Sequence, residues 1–137
     1  MKHIKSERGQ SLVELAISIV ILVYLLAGAV EFGLAFFQFV QLRDAAQEGA
    51  LYGSMNPSDT AGITARVQGA SSSPVDLTTI TPVITIIGSA CEGNGIKVTV
   101  SYNHQIFMPF IPQFIGSSTI PLNATVTDTI LSPLCGP

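Results

Sequence analysis

Apolar and polar positions divide this chain at about residue 55. From Leu15 to Val30 sixteen consecutive residues carry no charge, and apolar character reaches back to Leu12 and on to Val40, broken only by Glu14, Glu31 and Gln38. Such a run predicts a membrane-spanning helix. A helix from Leu12 to Val40 would be about 43 Å long at ~1.5 Å per residue, more than the ~30 Å hydrocarbon core of a bilayer, so it is expected to leave the membrane and continue. Beyond Val30 the spacing turns amphipathic, with Phe32, Phe36, Phe39 and Val40 on one side and Gln38, Gln41, Arg43, Asp44 and Gln47 between or beside them. That is the pattern of a helix with one apolar face. Asn56-Pro57-Ser58-Asp59 ends it, because proline disfavours helical backbone at the residue before it.

After this break Ser58 or Asp59 is placed to cap a short helix through Gln68, with Ile63 and Val67 turned to a core. Gly69 to Pro74 reads as a flexible loop. Past Pro82 the period changes to two. Val83 to Ile87 is a short β-rich run, Cys91-Glu92-Gly93-Asn94-Gly95 carries an Asn-Gly turn signal, and Ile96, Val98, Val100 and Tyr102 alternate with Lys97, Thr99 and Ser101. These predict a hairpin. A third strand alternates Leu122, Ala124, Val126 and Ile130 with Asn123 and three threonines. The expected fold class is α+β. A long N-terminal transmembrane helix extends into an outer domain with a short helix and a small antiparallel sheet of about three strands, one face of it buried. The segments are a basic leader (1–9), the helix (10–55) and the extracytoplasmic domain (56–137).

Charge sets an expected orientation. Lys2, Lys5 and Arg8 precede the apolar run against Glu7 alone, whereas the residues from Gln10 onward hold three basic and eight acidic groups. The positive-inside rule then places the N-terminus in the cytoplasm and the C-terminal domain outside. Charged residues make up only 11 % of the chain and the formal net charge is −3, so nucleic acid is not an expected partner. The two cysteines, Cys91 and Cys135, both fall on the expected outer side, where an oxidising compartment permits a disulfide between them.

Little here points to catalysis. No serine sits in a glycine-flanked elbow, only His3 and His104 offer imidazoles, and His104 lacks the neighbouring ligands of a metal site. The expectation is a non-enzymatic protein without cofactor, metal or small-molecule substrate, in which His104 is structural. The apolar loop Phe107-Met108-Pro109-Phe110-Ile111-Pro112-Gln113-Phe114-Ile115-Gly116 has two readings. Its aromatics Phe107, Phe110 and Phe114 suit an interface with a partner or membrane, or the loop folds over the sheet as core. Small residues recur four apart at Ala29 and Gly33, and again at Ala45, Gly49 and Gly53. Such ladders let helices approach closely, here either between subunits or between the helix and its own domain.

The N-terminal order is a basic leader, Gly9, Gln10-Ser11-Leu12-Val13-Glu14 and then the apolar helix. It resembles the prepilin processing signal, in which a peptidase on the cytoplasmic side cuts after a glycine and leaves a glutamate at the fifth mature position. Glycine suits such a site because the missing Cβ lets backbone approach backbone. Together with Glu31-Phe32-Gly33 after the apolar run and the alanine-rich segment from Gln41 to Ala50, residues 7 to 55 resemble the TadE-like pilus assembly family of minor pseudopilins. Glu14 is followed by Leu15, where this group often carries an aromatic residue. The resemblance implies cleavage between Gly9 and Gln10 and assembly of a Flp-type pilus or Tad secretion apparatus. Implied partners are the prepilin peptidase, the major pilin, other minor pseudopilins and membrane lipid. It further implies that Glu14 pairs with the freed α-amino group of Gln10, whereas a carboxylate that merely reaches back to the headgroups is the plainer account. Two alternatives remain: signal peptidase cutting after Ala29 to release a secreted binding domain, and an uncleaved single-pass membrane accessory protein.

Overall fold

The structure is a computed structural model describing residues 7–109 and 111–135. Helix α1 (Glu7–Met55) is 49 residues long, about 74 Å at ~1.5 Å per residue. It is followed by α2 (Thr60–Gly69), β1 (Val83–Ile87), β2 (Gly95–Gln105), the short α3 (Ile111–Ile115) and β3 (Thr119–Thr129). The strands form one antiparallel sheet in the order β1-β2-β3, with Val83 opposite Thr99 and Val100 opposite Ala124. The α+β expectation is met.

The C-terminal part of α1 lies on this sheet and α2 packs beside it. Leu42, Ala45, Ala46 and Ala50 of α1, Ile63 and Val67 of α2, and Ile96, Val98 and Val100 of β2 are all fully buried in one cluster. On the opposite sheet face the hydroxyls of Thr99 and Thr125 bond each other at 2.9 Å. Asp59 caps α2 by accepting from Gly62 N at 2.9 Å and from the Tyr52 hydroxyl at 2.8 Å. The Gly62 backbone bond first, and then the Tyr52 hydroxyl, hold its carboxyl below the usual carboxylate range. Tyr52 also lies under the Arg66 guanidinium, 5.2 Å from the ring centre, so α1, the cap and α2 are tied at one point.

Two local expectations change. The left-handed residues of the β1–β2 connection are Gly88 (φ 95°) and Gly93 (φ 85°), not the Asn94-Gly95 pair. Asn94 N donates to Cys91 O at 3.2 Å across the turn, while the Asn94 side chain is occupied with Ser89 Oγ and Cys91 O. Gly95 already belongs to the strand. The connection after α2 is more ordered than its serines imply, since Val75 and Leu77 are fully buried and Leu77 N donates to Ser71 O at 3.2 Å.

Cys91 and Cys135 are disulfide-bonded with their Cα atoms 5.5 Å apart. The bond closes a tail that is also stitched by Glu92 N to Pro133 O (3.0 Å), Ile130 N to Asn94 O (2.7 Å) and Leu131 N to Ser54 O (2.8 Å). For the 44-residue separation, the chain-entropy account gives about 4 kcal/mol of stabilisation. Protein purified without reductant is therefore expected to show no thiol reactivity until unfolded and reduced, and Cys91→Ser with Cys135→Ser is expected to lower unfolding stability by that order. Two reactive thiols in the native protein would contradict the bond.

Candidate functional site

The feature that sets α1 apart is that its N-terminal half leaves the domain. The most apolar 18-residue window of this helix has a mean hydropathy of 2.5, and none of it is buried within the chain. Leu12, Val13, Leu15, Ile17, Leu22, Leu25 and Leu26 are each more than half exposed. The helix is long and apolar enough to cross a membrane, and among the described residues Met108 and Pro109 lie beside this stretch.

The two small-residue groups on α1 part company. Ala45, Gly49 and Gly53 face the chain's own domain. A Cβ on Gly49 would stand 2.6 Å from Val67 Cγ2, and one on Gly53 would stand 2.6 Å from Ile96 Cδ1. These glycines set the distance between α1, α2 and the sheet. At Gly33 a Cβ would meet nothing within 4 Å, and Ala29 is exposed, so this pair is left open to the surroundings. Gly49→Val is accordingly expected to lower unfolding stability in detergent by about 2 kcal/mol through overpacking. Gly33→Val should stay within about 0.5 kcal/mol of wild type, as surface changes do. Equal losses at both positions would refute this division.

At the start of the helix, Gly9 and Gln10 already lie inside α1, which begins at Glu7. Residues 1–6 of the leader lie outside the described residues. A Cβ on Gly9 would meet nothing within 4 Å, so the backbone here is approachable from outside. Gln10 and Glu14 are four apart and share one helix face, separated by a single turn. Glu14 is exposed; the Ser18 hydroxyl donates to its backbone carbonyl at 2.8 Å, and its carboxylate has no partner among the described residues.

The region where α1 leaves the domain holds a constellation that the spacing of residues did not reveal. His104 is fully buried. Its Nε2 bonds Glu31 Oε1 at 2.8 Å, and its Nδ1 bonds the Gln38 side-chain amide at 2.7 Å. Phe107 N donates to both Glu31 oxygens, at 3.1 and 3.3 Å. Glu31 and Gln38 are seven apart, two helical turns, and so lie on one face. His104 continues the inward series Ile96, Val98, Val100 and Tyr102 on β2. A polar side chain on an otherwise apolar sheet face, and a carboxylate closing an otherwise uncharged helical run, are each a signal of an unmet partner. Each is the other's partner, across 73 residues.

The described start of the apolar loop lies against α1. Met108 is 8 % exposed and, with Pro109, lies beside Val23 and Ala27 of α1. Phe107 is 74 % exposed. Phe110 and the side chain of Phe114 lie outside the described residues.

Residues 9–51 match the family model described as TadE-like protein. No curated protein and no solved structure matches the chain.

Proposed function

We propose that this chain, whose first helix is a TadE-like segment, is a non-enzymatic minor pseudopilin of a Tad/Flp-type pilus or secretion apparatus. In this role it is a single-pass protein of the cytoplasmic membrane with its C-terminal domain outside. A prepilin peptidase removes residues 1–9, and the new N-terminus at Gln10 begins a helix offered to the major pilin and other minor pseudopilins. The observation that carries this reading is the match over residues 9–51 falling on a helix whose most apolar 18-residue window is unburied among the described residues. Such a surface fits a subunit that trades lipid contacts for helix contacts on assembly, with Ala29 and Gly33 as positions where another backbone can come close.

The C-terminal domain supports this division of labour. Its contacts with Ala45, Gly49 and Gly53 occupy one face of the C-terminal part of the helix, so assembly through α1 falls to the stretch that precedes that face. Removing the protein from its native host is expected to abolish or sharply reduce surface pili, with recovery on re-expression of the full chain. Unchanged pilus number and unchanged secretion in its absence would overturn the proposal.

A further inference from the structure

We propose that the loop beginning at Phe107 enters the membrane leaflet that adjoins the C-terminal domain, with Phe107 in the acyl-chain region and Glu31 as the polar post that permits it. The proposal rests on the reading of α1 as a membrane span. A ~30 Å hydrocarbon core takes about 20 helical residues, and centring it on the uncharged run Leu15–Val30 puts its upper boundary close to Glu31. Met108 and Pro109 lie beside Val23 and Ala27, four to eight residues nearer the N-terminus than Glu31. At about 1.5 Å per residue that is roughly 6–12 Å below the boundary, a depth similar to the ~5–10 Å of apolar faces that lie in the interface.

The loop's chemistry suits that depth. No Asp, Glu, Lys or Arg occurs between Lys97 and Asp128. Backbone in hydrocarbon must have its polar groups satisfied within the protein. Pro109 and Pro112 have no N–H to satisfy, Ile106 N donates to Ser118 O at 3.0 Å, and Gly116 N donates to Pro112 O at 2.9 Å. Phe107 N, at the point of entry, donates to Glu31. A groove of about 440 Å³ between loop and helix is lined by Val23, Leu26, Val30, Leu34 and Phe107 with Glu31 at its polar end. Phe107, 74 % exposed, therefore continues the apolar surface of the span. Lipid acyl chains are the occupant that continuity selects.

The chain contains no tryptophan, which makes the test direct. The full-length protein is placed in phosphatidylcholine vesicles with one tryptophan introduced at a time: Phe107→Trp in the loop, Leu22→Trp in the span and Val83→Trp on the sheet edge. Phe107 and Val83 are both well exposed, so neither change requires repacking. Brominated acyl chains are expected to quench Phe107→Trp when the bromines are shallow and Leu22→Trp when they are deep, while aqueous acrylamide quenches only Val83→Trp. If Phe107→Trp follows Val83→Trp while Leu22→Trp is quenched by lipid, the loop stays in water and the proposal is overturned. Shielding of Phe107→Trp from both quenchers overturns it in favour of a protein contact. Absence of lipid quenching at Leu22→Trp removes the span itself and the proposal with it.

Discussion

His104→Ala is expected to lower the unfolding stability of the detergent-solubilised protein by about 3 kcal/mol, a large share of what a domain of this size has to spare. The substitution strands two polar groups and opens a void. The Glu31 carboxylate loses its bond from Nε2, the Gln38 amide loses Nδ1, and a fully buried ring leaves a cavity at the foot of the sheet. Breaking a buried pair by removing one member is costly because the survivor keeps its desolvation penalty. Glu31→Ala should be comparable, since it also leaves the Phe107 N–H without its acceptor. The double variant should lose clearly less than the sum of the two single losses, because the groups act as one unit. Chemical denaturation of all four proteins reads this out. Additive losses, or a His104→Ala loss below about 1 kcal/mol, the scale of an exposed pair, would show that Glu31 and His104 do not hold the domain to the helix.

Gly9 and Glu14 are expected to fail in different ways. Gly9→Val puts a β-branched side chain on the proposed scissile residue, so the peptidase should not cut and the full-length chain should accumulate in the membrane. The open space around Gly9 means that the fold itself has no reason to suffer. The Gly9–Gln10 bond lies within α1, so a peptidase must unwind the first turn to reach it; valine favours that extended conformation, and its block comes from the bulk that keeps the enzyme's backbone away. Glu14→Val removes a charge that is expensive near hydrocarbon, roughly 2.5 kcal/mol or more at the centre and less at the edge. Insertion should be unharmed or improved and cleavage retained. Pilus number should still fall, because a freed amino group at Gln10, one turn away, loses its carboxylate partner. Anchored full-length Gly9→Val beside cut, non-assembling Glu14→Val is the expected pair of outcomes. Normal pili with Glu14→Val would remove the pairing role and leave the processing site standing.

Much of the fold is legible because its signals are local. Asn56-Pro57 stops α1, Asp59 caps α2, Ile63 and Val67 share a helical face, and Ile96, Val98 and Val100 alternate inward, all as their spacing dictates. Val83–Ile87 is a strand with the expected bounds. The misses depend on what distant segments bring to a position. Gly88 and Gly93 rather than Asn94-Gly95 turn the chain, with Asn94 recruited by Ser89 and Cys91. Val75 and Leu77 sit in a stretch with no period, yet the gap between α1, α2 and the sheet takes them in.

The candidate site divides the same way. Gly9, Gln10 and Glu14 stand out by order along the chain, whereas the roles of Ala45, Gly49 and Gly53 depend on which helix face the sheet covers. Glu31 and His104 each leave a signal, a charge closing an uncharged run and an imidazole continuing an apolar alternation, but the sequence places His104 only as structural and Glu31 only as part of the Glu31-Phe32-Gly33 triplet. Their pairing follows from how far along α1 the sheet is seated, which no local pattern in the sequence records.

The central claim is that the working form of this protein begins at Gln10. N-terminal sequencing together with intact mass of the protein from the membrane fraction of its native host tests it most directly. A chain lacking Met1–Gly9, starting at Gln10, is the predicted result. A chain starting at Val30 would mean release by signal peptidase, and one that keeps Met1 through Gly9 would mean a permanent anchor; either contradicts the pseudopilin account.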